Sequence, residues 1–479
     1  MVRQRVRLTL HITGSFLKYF ALAYILPLCV AIYYGENWQI YLYALLIALG
    51  VGLVLEFAFK TAKVIERTDG FTIVAFTWLL ISLFGTLPYM FLGFGFLDAF
   101  FEAMSGFTTT GATILSGPAT ELGFFAFPKS LLLWRSLTQW LGGMGVIALF
   151  VAILPRLGVG GSQLFDREFP SPLPERIRPR FSTTARLLWT IYIGFTAAQI
   201  ALLYFAARLP LFDSTCISFS TLSTGGFTPT VLSIGSYGNS LAEYIIMVFM
   251  FLAGMNFIVH YHILHGNWKA IKDDELRLYV IVLASAAFLL ILSQSFSSYR
   301  QELFQAISIM TTTGFVTADF GSWHSSAKMV LLALMFIGAC GGSTGGAIKV
   351  VRVVTLIKHT GVMMRKAIFP NAVIPLKYNR KPLQEGIVRD IISFLFLYIL
   401  VALVASVALC FLGLNIETAI SAVAATLGNV GPGLADVGPN LNYAWLPGAA
   451  KVILIMCMWF GRLELFTVFM IFSPRFWKG

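Results

Sequence analysis

The sequence predicts an all-α integral membrane protein in which a two-helix hairpin precedes four related units, each a helix, a re-entrant loop and a second helix. Three observations point to it. Hydrophobic residues make up 58% of the 479-residue chain and charged residues only 12%, more apolar surface than a soluble core of this length hides. Apolar stretches long enough to cross about 30 Å of hydrocarbon recur along the chain. Between alternate pairs of them lies one short pattern, an acid-started segment ending in a Thr/Ser/Gly cluster.

The hairpin comes first, with spans near 12–34 and 38–59. Arg3 to Arg7 followed by an apolar run has the look of a signal peptide, but the run is too long and lacks a small-residue cleavage site, so it reads as a retained first span. The first unit has helices near 71–95 and 129–155, with Thr108-Thr109-Thr110-Gly111-Ala112-Thr113 between them. The second has 183–208 and 240–265, around Leu222-Ser223-Thr224-Gly225-Gly226-Phe227. The third has 276–297 and 326–357, around Thr311-Thr312-Thr313-Gly314-Phe315-Val316. The fourth has 388–413 and 446–472, around Ala425-Thr426-Leu427-Gly428-Asn429-Val430. The organisation expected is a hairpin over 1–68 and repeats over 69–157, 158–266, 267–360 and 361–479, ten spans in all. An even number returns both termini to one side.

Charge says which side. Of the 34 Lys and Arg, 26 fall in 1–10, 60–70, 156–186, 266–277, 349–389 and 474–479, which alternate layout puts on one face, whereas 210–239 on the other has none. The positive-inside rule makes the basic face cytoplasmic, with both termini inside. The net charge of +12 therefore needs no nucleic acid. Cys29, Cys216, Cys340, Cys410 and Cys457 stand singly in apolar surroundings and read as packing residues. His260, His262 and His265 do not share a helix face, which argues against a metal site. Gly158-Val159-Gly160-Gly161 reads as a turn.

Counting back from Gly111, Gly225, Gly314 and Gly428, an acid stands 13, 12, 12 and 11 positions earlier: Asp98, Asp213, Glu302 and Glu417. About three helical turns separate acid from glycine, too short to span. Each segment is expected to enter the membrane and stop midway. An acid suits the positive end of its dipole, so helix capping accounts for these acids better than cation binding. The opposite, partially negative end then points to mid-membrane, where an ion loses hydration. Irregular backbone is tolerated there only where it is buried or lines a water-filled path. Glycine permits the angles and close approach that a ring of carbonyls needs. Four such pore loops around one pore make a filter for a cation. One cluster alone would pass for a turn; four in the same context do not.

At these residues the chain resembles the TrkH-type subunits of the Trk/Ktr/HKT superfamily of potassium transporters. Beyond the four loops, the likeness is carried by the run Gly338-Ala339-Cys340-Gly341-Gly342-Ser343-Thr344-Gly345-Gly346-Ala347-Ile348-Lys349 and by Gly461-Arg462-Leu463-Glu464. The two extra amino-terminal spans favour the Trk type over the shorter Ktr type. The resemblance implies filter residues Thr109, Thr110, Gly111 and Ala112; Ser223, Thr224, Gly225 and Gly226; Thr312, Thr313, Gly314 and Phe315; and Thr426, Leu427, Gly428 and Asn429. Potassium as the permeant ligand is expected at Thr110, Gly111, Thr224, Gly225, Thr313, Gly314, Leu427 and Gly428. Sodium-selecting relatives carry serine at the first filter glycine, so Gly111 implies potassium selectivity. The fourth loop departs from the Thr-Thr-Gly pattern, with Leu427 before its glycine and Asn429 after it.

Five glycines between Gly338 and Gly346 break a helix in mid-span. No strand precedes the run, which argues against a phosphate-binding loop. Close helix packing by small residues is one reading. The resemblance implies another, a gate beneath the filter made of Gly338, Gly341, Gly342, Gly345, Gly346 and Lys349, together with Arg462. Arg462, costly in an apolar span, either pairs with Glu464 or faces the ion path.

The resemblance further implies a homodimer with separate pores and a cytosolic nucleotide-binding ring of the TrkA type. Nucleotide is expected on that partner, with no organic cofactor on this chain. The basic stretch Lys349 to Arg389 is a candidate docking surface that also meets the lipid bilayer. No HExxH motif and no nucleophile with a base is present, so an enzyme is not expected. The function expected is potassium uptake across a bacterial inner membrane; proton-coupled potassium symport and a sodium-permeable relative are the alternatives. Few acids lie in the spans besides Glu56 and Glu464, which weighs against a proton relay.

Overall fold

Lipid offers the backbone no hydrogen-bond partner, so a crossing segment must close its own ladder, and these sequences do so as helices. The computed structural model describes residues 2–61, 67–115, 126–145, 181–294, 298–383 and 385–474. Among the described residues six helices are long and apolar enough to cross a membrane: Gln4–Tyr33, Gln39–Ala58, Asp69–Phe91, Arg186–Ala206, Asp274–Ser293 and Gly386–Phe411. The first two form the hairpin and the other four each open one unit. The first helix starts well before residue 12, so the basic amino end is helical rather than a free tail. Its Arg5 is buried and donates to Asp69 at 2.9 Å, tying the hairpin to the first unit. Lys18 meets Glu56 at 2.6 Å, which accounts for one of the rare intramembrane acids.

The second helices of the units depart from the ten continuous spans expected. They run Lys129–Gly143, Ser240–Gly254, Ser325–Phe336 and Gly448–Leu463, between 12 and 16 residues each. The expected 129–155 helix is described only as far as 145, and residues 146–155 and the Gly158-Val159-Gly160-Gly161 cluster lie outside the described residues. The expected straight span 240–265 bends by 102° after Gly254. Asn256 caps the following helix, Phe257–Leu264, by accepting from the Ile258 N–H at 2.9 Å. His260 Nε2 donates to the Leu252 carbonyl at 2.9 Å, supplying a partner at the break. The expected span 446–472 is interrupted at Glu464, whose φ of 59° and ψ of 128° take it out of the helix. The third, as its glycines led one to expect, opens into a non-helical run from 337 to 349.

Between the two helices of each unit stands a short helix of 12 residues: Phe96–Phe107, Leu211–Leu222, Tyr299–Met310 and Ile416–Leu427. At about 18 Å it reaches little more than halfway across a bilayer. Asp98, Asp213, Glu302 and Glu417 lie in the four first turns, at the positive end of each dipole. Two of them also take cations, Lys451 on Asp98 at 2.6 Å and Lys328 near Glu417 at 3.7 Å.

Candidate functional site

All four short helices end alike. The residue that follows the cap, Thr109, Thr224, Thr312 or Asn429, has φ between 52° and 58°, which reverses the chain. A left-handed threonine is strained, and three at matching places mark a constrained site. Two residues further on stand Gly111, Gly226, Gly314 and Gly431, with φ of 81°, 82°, 76° and 102°. The units therefore match through these four glycines. The sequence match through Gly225 and Gly428 is off by one and by three positions, because spacing from the acid ignores where each helix stops. Ser223 and Gly428 are helix caps, and Thr426 and Leu427 are the last helical residues. Thr426 Oγ1 donates to the Ala422 carbonyl at 2.7 Å, inside its own helix.

The carbonyls just before these glycines close a ring. A Cβ added at Gly111 would lie 2.1 Å from the Gly225 oxygen, at Gly226 2.1 Å from Thr313, at Gly314 2.0 Å from Val430, and at Gly431 2.7 Å from Thr110. Each unit abuts the next and the fourth returns to the first. No side chain fits at any of these positions, which is why all four are glycine. Gly111, Gly226, Gly314 and Gly431 also line one cavity, with Ala112 and Phe227. Phe315 is buried behind its loop, where its carbonyl accepts from Ser308 Oγ at 2.7 Å.

Three residues absent from the sequence reading hold these loops. Arg135 and Glu102 form a buried ion pair at 2.8 Å. Glu102 also accepts from Thr113 Oγ1 and the Ile114 N–H, and Arg135 donates to the Thr228 carbonyl at 3.1 Å. Gln139 clamps the second loop, with Nε2 donating to the Gly225 carbonyl at 2.7 Å and Oε1 accepting from the Phe227 N–H at 3.0 Å. Polar residues within the otherwise apolar helices were the available signal.

The glycine run packs against the ends of the loops. It is not helical, so close packing of helices does not explain its glycines. Thr312 Oγ1 accepts from the Gly346 N–H at 2.7 Å, and Thr344 Oγ1 donates to the Leu222 carbonyl at 2.9 Å. A Cβ at Gly346 would lie 2.4 Å from the Gly428 carbonyl, and one at Gly338 2.2 Å from the Gly346 carbonyl. The Gly342 carbonyl accepts from the Phe257 N–H at 3.0 Å, just past the bend in the second unit. Lys349 Nζ donates to the Gly345 carbonyl. Glu275, itself buried, accepts from the N–H groups of Gly341 at 2.6 Å and Val351 at 2.9 Å, holding both ends of the run with one carboxylate oxygen.

Arg462 reaches this run from the fourth unit. Its guanidinium donates to Thr344 O at 2.9 Å, Thr109 Oγ1 at 3.1 Å, and the carbonyls of Gly142 at 2.5 Å and Gly143 at 2.9 Å. Glu464 is not its counter-ion: that carboxylate takes Arg352 at 2.5 Å.

A polytopic helical protein that buries a ring of backbone carbonyls at the meeting point of four short helices and the loops after them belongs to the class of membrane transport proteins. Residues 39–478 match the family model TrkH, a cation transport protein. The chain is 36% identical over 492 residues to the Trk system potassium uptake protein TrkH of Halomonas elongata, covering 99% of each. It is also 36% identical over 483 residues to that of Escherichia coli K12, covering 98% of each. Its fold superposes on the crystal structure of the potassium transporter TrkH from Vibrio parahaemolyticus with a TM-score of 0.85 at 34% identity, over 98% of this chain and 99% of that one. The chain belongs to the TrkH family of cation transport proteins.

Proposed function

We propose that this protein takes up potassium through the ring formed by the Thr110, Gly225, Thr313 and Val430 carbonyls. The observation that carries the reading is the cyclic contact of those oxygens with Gly226, Gly314, Gly431 and Gly111. Carbonyl oxygens so arranged replace the hydration shell of a monovalent cation, and the relatives are named potassium uptake proteins. Potassium is the permeant ligand. In this reading the run Gly338 to Gly346 is the gate under the ring and Arg462 its latch, since one guanidinium joins Thr344 of the run to Thr109 of the first loop. A permanent cation there also raises the barrier to another cation.

Charge and kinship support the setting in this reading. The basic loops put both termini in the cytoplasm of a bacterium, with the chain in the inner membrane. Two copies form a homodimer, each with its own pathway. A cytosolic TrkA-type ring carrying the nucleotide docks on the basic stretch Lys349 to Arg389, and this chain carries no organic cofactor.

Reversal potentials of the purified full chain in planar bilayers, under opposing potassium and sodium, test the reading. A reversal near the potassium equilibrium value is expected. Equal permeability to the two ions would overturn it.

A further inference from the structure

The ring is not equivalent at all four corners. Three of its carbonyls belong to residues with side chains, Thr110, Thr313 and Val430, and the fourth to Gly225. In the first and third loops the threonine hydroxyl bonds to the threonine two residues before it, Thr108 and Thr311, at 2.7 Å in each. In the second loop that space is filled from outside the loop. A Cβ at Gly225 would lie 2.4 Å from Gln139 Cδ and 2.6 Å from its Oε1. Gln139 comes from the second helix of the first unit and is fully buried.

Its amide does what no neighbour does at the other corners. Nε2 donates to the ring carbonyl of Gly225 and Oε1 accepts from the Phe227 N–H, so one planar group grips both sides of Gly226. Among the described residues, the Thr110, Thr313 and Val430 carbonyls accept no protein hydrogen bond. We infer that Gln139 is a positioning residue that sets ion discrimination at the second corner of the ring. Its donor occupies one lone pair of the Gly225 oxygen and fixes that oxygen's distance from the axis. A carbonyl held in this way cannot move inward to meet an ion smaller than potassium. Buried amides that satisfy two backbone groups at once are rigid, because releasing either leaves an unpaired polar group. This inference rests on the proposed conduction through the ring.

The test is Gln139→Leu, which keeps the volume and removes donor and acceptor, in the full chain reconstituted with potassium, sodium and rubidium as probes. The potassium-to-sodium permeability ratio is expected to fall by roughly five- to tenfold, the scale of one hydrogen bond, with rubidium less affected because it is larger. Ser136→Ala on the same helix, where the hydroxyl bonds to the Leu132 carbonyl at 3.4 Å and not to the ring, is expected to leave the ratio unchanged. A folded Gln139→Leu protein with wild-type ratios overturns the assignment. Should that variant not assemble, Gln139→Met and Gln139→Glu carry the same expectation and the same refutation. Wild-type protein that does not prefer potassium refutes the conduction reading itself, a result visible before any variant is compared.

Discussion

Arg135 donates to Glu102 at 2.8 Å where neither side chain reaches solvent, and the pair joins the outgoing segment of the first loop to the second. A buried pair is costly to form and far costlier to halve, since removing one partner strands the other charge; the loss is about 3–5 kcal/mol. Arg135→Ala is therefore expected to lower the melting temperature in detergent sharply. The double variant Glu102→Gln/Arg135→Met is expected to recover part of it. Equal stability of wild type and Arg135→Ala would show that the pair does not hold the loops.

Gly431, rather than Gly428, completes the ring, and this is directly testable. At Gly431 a Cβ meets the Thr110 carbonyl at 2.7 Å with φ at 102°. Gly431→Ala should change the permeability ratio, as should Gly111→Ser, whose Cβ meets the Gly225 oxygen at 2.1 Å. Silent substitution at Gly431 in folded protein would return the fourth corner to another residue.

Glu275 holds both ends of the glycine run without touching the ring. Glu275→Ala leaves the N–H groups of Gly341 and Val351 without their shared acceptor, a loss of about 1–3 kcal/mol for each group that stays buried. Uptake rate or open probability should change while ion preference stays. Alanines at Gly341 and Gly345 should act the same way. A shift in preference with unaltered rate would mean that the run belongs to the filter.

For Arg462 the expectation is a faster pathway. It holds Thr344 to Thr109 and donates to Gly142 and Gly143, so Arg462→Ala releases the run and removes a positive charge. Potassium flux per folded protein should rise with melting temperature preserved. Slower flux in a well-folded variant rules out the latch.

Much of this architecture is written locally. Hydropathy along the chain located the hairpin and the first helix of each unit, because the bilayer imposes its length requirement on each stretch separately. The four acid-started segments were legible for a similar reason, since a dipole and a cap act within one turn. The third helix break showed itself through five crowded glycines. Tertiary structure decided the rest. Whether Gly225 or Gly226 faces the ring depends on where Leu211–Leu222 ends and on a carbonyl of Thr313 nearly ninety positions away. The bend after Gly254 carries an Asn cap and the His260 bond to Leu252 as its local marks, and further support, from Gly342, comes from a different unit. The partner of Glu464 could not be read from its neighbour Arg462, because Glu464 breaks the helix that carries Arg462, and Arg352 reaches it from 112 positions upstream. Nor does periodicity reveal Gln139, a polar residue in an apolar helix whose meaning lies in the two backbone groups that the folded chain brings to it.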